Sequence, residues 1–402
     1  MHTQQPLSIF PLPTGYLLLP ALDQHETALA DLLQGRMPTN MPKDWQFYQA
    51  AYHGDTATAL ALLASDTSAE AHYNQFVLNG SAETYPTVRR QLPAEFVPLL
   101  DMVAYTMGLL AAPPDPENTT GTIRATLLAA QAAAALETDD YARAQAQLAE
   151  AIDLARPLSP LLAAQLLSDQ AETRIAMGKL DALALQPYRE ALQLLAESGL
   201  TEQRAQSALR LGTLYHELAR GQRGPLLEAV RYYQEALRFF TRDNHAEAYA
   251  LAQNNLALAY LAMPMVEASD QLRMAIAVQA LREAATVYTK TDYPERWASV
   301  QLNLANALQY LPSGFPEEHL IEAVQIYEEL LASREQVSDL PGYARLLANQ
   351  GNALAHLGIF VHARPKLAEA ARRFAALGDQ DAVQAIQATL ADIETREVAV
   401  TE

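Results

Sequence analysis

The chain contains no cysteine. Disulfides, thiol nucleophiles, thiolate zinc sites and cysteine-ligated iron–sulfur clusters are therefore excluded together. Positive charge is scarce as well: 28 Lys and Arg stand against 47 Asp and Glu, leaving a net charge of −19. A duplex nucleic-acid binder needs a basic face to release counterions, and an anionic membrane surface needs the same, so neither is an expected partner. Lysine is confined to Lys43, Lys179, Lys290 and Lys366. The arginine excess suits bidentate pairing with carboxylates, and a GC-rich genome would produce the same bias. No uninterrupted apolar run approaches the roughly 20 residues of a membrane span. The opening stretch MHTQQPLSIFPLPTGYLLLPAL lacks a basic segment and is cut by Pro11, Pro13 and Pro20, a poor pattern for a signal peptide. The expectation is a soluble cytoplasmic protein. No HExxH, P-loop, GxGxxG or GxSxG is present.

Half of the residues are hydrophobic, with alanine dominant, a composition that favours packed helix over disorder. The main signal is a repeat. Thr241 to Ala257 reads TRDNHAEAYALAQNNLA, and Thr289 to Ala305 reads TKTDYPERWASVQLNLA, an ungapped match at an offset of 48 residues. Each copy follows a matching helix, EAVRYYQEAL from Glu228 and IAVQALREAA from Ile276, and a third helix, EAVQIYEELL, starts at Glu322. The same six-residue gap separates Tyr249 from Asn255, Trp297 from Asn303 and Tyr343 from Asn349. A period in this range marks stacked helical units, each burying its apolar face on its neighbours.

In chain order, residues 1–40 form a Pro-rich arm that would cover the first exposed helix. Residues 41–111 form a divergent helical unit, in which Trp45, Tyr48, Ala51 and Tyr52 fall at helical spacing. Residues 112–121 are a linker within AAPPDPENTTG, which cannot continue a helix. Residues 122–378 hold about six hairpins, and 379–402 a capping helix and tail. Asp139-Asp140 is read as a helix N-cap. The last hairpin is read with Gly351 and Leu354 against Ala370, Phe374 and Leu377. Three helix-to-helix turns, ARGQRGPLL, AMPMVEASDQLR and YLPSGFPEEHL, are read as long insertions on one edge.

The pairing of Gly212 and Tyr215 with Ala229, Tyr233 and Ala236, and of Ala257 and Tyr260 with Ala277, Leu281 and Ala284, resembles the tetratricopeptide repeat (TPR). The frame WASVQLNLANALQYLPSGF is similar to long variants in bacterial proteins, often found beside a caspase-like protease, whose catalytic cysteine is absent here. The resemblance covers roughly residues 123 to 394. It implies an all-α, right-handed solenoid of helical hairpins, whose first helices line a concave groove. It also implies a non-enzymatic interaction scaffold or adaptor that needs no cofactor. Some members hold a peptide's C-terminal carboxylate with Asn on the first helix and with Lys or Arg one turn earlier. Asn303 and Asn349 match the Asn positions, but four residues before the asparagines stand Leu251, Ser299 and Arg345, of which one is basic.

The candidate groove residues are Asn255, Asn303 and Asn349, with Asn306 and Asn352 one turn on, Arg345, and upstream Arg204 and Arg210. An Asn amide offers two donors and an acceptor to a peptide backbone, and it could equally bond the neighbouring hairpin as a structural ladder. The arginines could equally form a solvated face. A second candidate face comprises Met263, Pro264, Met265, Phe315 and Pro316, apolar residues in turns that either dock a partner or cover hairpin ends. No metal site is expected; Glu317-Glu318-His319 reads as solvated loop charge. Three functions remain open: a scaffold binding a protein or peptide partner, a peptide-sensing regulator whose superhelix closes on its ligand, and an end-to-end homo-oligomer.

Overall fold

The computed structural model describes residues 5–20, 25–264, 270–312, 314–333 and 340–401. Among these, secondary structure is helical, with no strand. The N-terminal region carries α1 (Glu26–Leu33), α2 (Gln46–Tyr52), α3 (Thr56–Leu63), α4 (Ala69–Asn79), α5 (Tyr85–Gln91) and α6 (Val97–Thr106). The hairpins follow as α7 (Gly121–Glu137) with α8 (Tyr141–Ala155), α9 (Pro160–Ala176) with α10 (Leu185–Leu195), and α11 (Thr201–Ala219) with α12 (Arg223–Ala236). Next come α13 (Ala246–Leu261) with α14 (Asp270–Ala285), α15 (Pro294–Leu308) with α16 (Pro316–Ser333), and α17 (Leu340–His356) with α18 (Phe360–Ala376); α19 (Gln380–Thr401) ends the series. Two compact units result, residues 1–214 and 215–402.

The helices begin where the sequence supplies acceptors for otherwise unpaired N–H groups. Asp55 accepts from Thr58, Ser68 from Ala71, and Asp140 from Arg143. Ser159 caps α9, with Pro160 in the first turn. Packing is sequential: α7 meets α8, α8 meets α9 and α9 meets α10, while in the second unit each helix from α12 to α19 packs on the next. That is the nearest-neighbour packing of a repeat stack.

Each hairpin crosses through small residues. Ala171, Ala257 and Ala305 on first helices are fully buried, as are Ala229, Ala277 and Ala323 on second helices and Ala184 in the 3-10 turn just before α10. A large residue one turn on fills the space beside the crossing: Tyr188, Tyr233, Leu281 and Tyr327, all enclosed. In the last hairpin the small–large–small set is Ala363, Leu367 and Ala370. The reading with Ala370, Phe374 and Leu377 was two turns late, and Leu377 is 42% exposed. Gly351 is needed opposite it, since a Cβ there would stand 2.7 Å from Leu367 Cγ.

One turn assignment changes. ARGQRGPLL is not a long insertion: α11 ends at Ala219 and α12 starts at Arg223, with Arg220 in the left-handed region at φ 46° closing the turn. Longer connections lie between hairpins, where Thr241 and Asn244, and again Thr289 and Asp292, bond across four-residue turns. This accounts for the duplicated TRDN and TKTD.

Residues 5–20 pack into the first unit rather than over its end. Leu7, Ile9, Phe10, Leu17, Leu18 and Leu19 belong to the same core as α2, α4, α6, α7 and α9. The segment folds back on itself, Ser8 N donating to Gly15 O at 2.7 Å, and only glycine fits at 15, where a Cβ would lie 1.8 Å from Phe10 O. Asn74 on α4 clamps it: Leu18 N donates to Asn74 Oδ1 at 2.7 Å, and Asn74 Nδ2 donates to Leu18 O at 2.8 Å. Tyr73 adds a bond to Tyr16 O at 2.8 Å.

Truncating Asn74 to Ala strips two enclosed main-chain groups of their partners and is expected to destabilise the protein by about 2–5 kcal/mol. Tyr233→Ala leaves a cavity at a hairpin crossing and is expected to cost about 3–5 kcal/mol, by analogy with Phe. Chemical denaturation followed by circular dichroism measures both; a loss below about 1 kcal/mol in either would contradict the packing described.

Candidate functional site

The small residue at each crossing gives a common register for the first helices. In α7, α9, α11, α13, α15 and α17 it is Ala132, Ala171, Gly212, Ala257, Ala305 and Gly351. Six residues earlier stand Thr126, Gln165, Gln206, Leu251, Ser299 and Arg345, and two residues earlier stand Ala130, Asp169, Arg210, Asn255, Asn303 and Asn349. One residue after it come Ala133, Glu172, Thr213, Leu258, Asn306 and Asn352. Helical periodicity puts these three columns on one side of every first helix.

In the second unit, this face is built of amides. Asn255, Asn303, Asn306, Asn349 and Asn352 are half-buried, and Ser299 and Arg345 are exposed. Asn306 Oδ1 accepts from Asn349 Nδ2 at 2.9 Å, joining α15 to α17, and from the Tyr327 hydroxyl at 2.7 Å. Gln309 Nε2 donates to that hydroxyl at 2.6 Å. Part of the face is thus a ladder between hairpins. Other amide atoms are uncommitted. Asn303 makes no hydrogen bond among the described residues, and Asn352 Oδ1, Gln309 Oε1 and Asn254 Oδ1 are enclosed acceptors without donors. Asn255 Oδ1 accepts only from its neighbour Asn254, at 3.3 Å.

Charge avoids the same three helices. In a chain with 47 acids, α17 carries none, and α13 and α15 carry one each, Glu247 and Glu295, in their first turns. Glu247 is taken up by the Tyr293 hydroxyl at 2.8 Å and by Arg296 at 3.2 Å.

In the first unit the same columns carry charge. Arg210 pairs with Glu172 at 3.2 Å, and Glu172 also accepts from the Tyr188 hydroxyl. Arg204 donates to Ala196 O at 3.0 Å. Asp169 is surrounded on most sides by protein, although water reaches its side chain; the loss of solvation, then the negative field of Glu172, lifts its pKa to about 6. Burial, followed by the bond to Glu172, pushes the Tyr188 phenol upward.

Here the chain's own N-terminal segment lies on the first-helix face. Thr126 shares a 2.9 Å hydrogen bond with Ser8, and Gln165 Nε2 donates to Ile9 O at 3.0 Å. These two contacts use the very column that holds Leu251, Ser299 and Arg345 in the second unit. Next to them Ser8, Phe10, Leu12, Tyr16, Gln165 and Gln206 border a cavity of 390 Å³. The sequence had marked residues 1–40 only as an arm; the signal that could have identified this contact was the absence of any charged side chain between Gln5 and Pro20.

The second candidate face is smaller than expected. Met263 is 3% exposed and fills the end of its hairpin, whereas Pro264, Phe315 and Pro316 are exposed; Met265 lies outside the described residues. No cluster of metal-ligating side chains occurs among the described residues, and no helix among them is long and apolar enough to cross a membrane.

A carboxyl whose folded pKa is raised favours the folded state only while protonated. Its contribution is complete below the unfolded value of 3.8 and is lost as pH rises through about 6. Asp169→Asn is therefore expected to raise the melting temperature at neutral pH, by an amount that shrinks toward zero as pH falls to about 4. Water access to Asp169 keeps the gain below that of an enclosed carboxyl. A pH-independent difference between the two proteins would refute the assignment.

No family model matches the sequence, and no curated protein matches it. Solved structures do. The chain is similar to a signal-transduction ATPase (STAND) protein with a tetratricopeptide-repeat sensor from Pyrococcus horikoshii, at 14% identity and a TM-score of 0.52, over 85% of this chain and 54% of that one. It thus spans about half the length of that protein. It is also similar to BtubC from P. vanneervenii, at 22% identity over 59% of this chain and 92% of that one (TM-score 0.41). A third is a Rap protein complexed with competence and sporulation factor, at 13% identity over 87% and 96% (TM-score 0.39). With the hairpin register above, the first of these likenesses establishes the fold of the described chain as that of tetratricopeptide-repeat proteins.

Proposed function

We propose that this protein is a non-enzymatic interaction scaffold that holds a peptide segment of a partner protein on the first-helix face of α13, α15 and α17. The observation that carries the reading is internal. Where the corresponding columns of α7 and α9 meet the N-terminal segment, they bind it, Thr126 through the Ser8 hydroxyl and Gln165 through the main-chain carbonyl of Ile9. In the second unit the columns present Asn255, Asn303, Asn349 and Asn352, with uncommitted amide atoms at Asn303 and Asn352. An amide pairs with both the N–H and the C=O of a peptide, as Asn74 does with Leu18 in this chain.

The ladder accounts for Asn306 and Asn349, but stability arguments do not require Asn255, Asn303 and Asn352 to be amides. The crossings are filled by Ala257, Ala305, Gly351 and their large partners, and the half-exposed columns beside them would tolerate any polar side chain. A run of asparagines there is better accounted for by a ligand than by the stack. Arg345 supplies one cation at the edge of the face and Arg204 and Arg210 are engaged within the first unit, so a clamp of several cations on a terminal carboxylate is not assembled.

The test is capture from native lysate with wild type and with Asn303→Ala/Asn349→Ala, circular dichroism showing both to be folded. A protein retained by wild type and lost by the double variant is expected. Equal retention by both would remove the asparagines from the site and direct attention to Phe315 and Pro316.

A further inference from the structure

We infer that the segment taken by the α13–α15–α17 face is an uncharged, proline-punctuated internal stretch of chain, recognised through its main chain and not through a terminal carboxylate or an acidic or basic run. The inference rests on the reading of that face as a peptide site and adds the chemistry of what it takes.

The first observation is the occupant of the corresponding face in the first unit. Residues Gln5 to Pro20 read QPLSIFPLPTGYLLLP: no charged side chain, and prolines at 6, 11, 13 and 20. Proline fixes φ and removes a donor, so such a segment loses less entropy when held, here in a turned form closed by the bond from Ser8 N to Gly15 O. Its backbone is bonded at Ile9 O by Gln165 and at Leu18 N and O by Asn74 on α4, while its apolar side chains, Ile9, Leu17 and Leu18 among them, are buried.

A second, independent observation is the chemistry of the open face. The five asparagines in the columns of α13, α15 and α17 are neutral, and the two acids of these helices lie at their starts, away from the asparagine columns. An acidic ligand would find Arg345 as the one basic side chain in the three columns of this unit, and a basic ligand would find no carboxylate in them. Enclosed beside the face, Asn352 Oδ1, Gln309 Oε1 and Asn254 Oδ1 are acceptors left without a donor from the described residues. Leu251, 40% exposed in the column that holds Thr126 and Gln165 upstream, offers apolar surface to an apolar side chain.

The experiment is selection of a random peptide library, each member about twelve residues long and tethered at both ends so that it has no free carboxylate, against the full-length protein. Selected peptides are expected to be uncharged and rich in proline and apolar residues. Their affinity should change less than about twofold between roughly 50 and 500 mM salt, because no ion pair is screened. It should fall about tenfold or more in Asn303→Ala/Asn352→Ala, the loss typical of truncating a central polar anchor; if that pair fails to fold, the near-isosteric Asn352→Leu replaces it. Enrichment of acidic or basic peptides whose binding collapses with salt yet still depends on the asparagines would overturn the inference and leave the site standing. No enrichment, or binders indifferent to the asparagines, would overturn the site and the inference together.

Discussion

The structure depends on one steric constraint, the close approach of two helix backbones where Ala or Gly faces a hairpin crossing. At Gly351 even one methyl group would press on Leu367, and at Ala257, Ala277, Ala305 and Ala323 no solvent reaches the crossing. Packing density in such a place matches that of a crystal, so a methylene more or less is felt. Because each helix satisfies this constraint with its sequence neighbours, stability is assembled hairpin by hairpin. One side of every first helix is left with no part in it. That side is where side-chain chemistry is free to vary.

It does vary, and the variation is organised by unit. The columns that read Asp169, Glu172 and Arg210 in the first unit read Asn303, Asn306, Asn349 and Asn352 in the second. The first set is closed on itself, Arg210 on Glu172 and Glu172 on Tyr188. The second is half closed, by Asn306 with Asn349 and Tyr327, and half uncommitted. A ladder and a binding face are therefore compatible. The bond between Asn306 and Asn349 fixes the spacing of α15 and α17, and it holds their neighbours Asn303 and Asn352 at a set separation. Rigid placement of polar groups lowers the entropy lost on binding.

The repeat was legible because the crossing constraint writes itself into the sequence as small residues at fixed offsets from an aromatic or leucine. Ala229–Tyr233–Ala236 and Ala277–Leu281–Ala284 could be found with no structure at all. The last hairpin was misregistered because Ala363–Leu367–Ala370 is followed by a second small–aromatic step, Ala370–Phe374, and sequence spacing cannot tell which Ala meets Gly351. ARGQRGPLL read as a long turn because its two glycines suggest broken helix; two residues at positive φ, Arg220 and Gly221, let α12 resume at once. Met263 read as loop surface because it follows the helix end, yet it folds back over the hairpin.

The N-terminal segment was the least legible part, and the reason is physical. A turned segment without a regular element leaves no periodicity of its own: its apolar side chains enter the core at irregular spacing, and Thr126, Gln165 and Asn74 meet main-chain atoms or a single hydroxyl, which carry little sequence signal. What can be read is what such a segment must not contain, namely charge that the face could not pair or solvate. The same argument applies in reverse to the face. A surface that recognises a main chain needs amides at regular intervals and little charge between them. In a chain carrying −19 overall, that pattern is improbable for solvated helix surface. On the proposed function, the asparagine columns and the charge-free segment are two views of one mode of recognition, with the first unit holding its own segment within the chain.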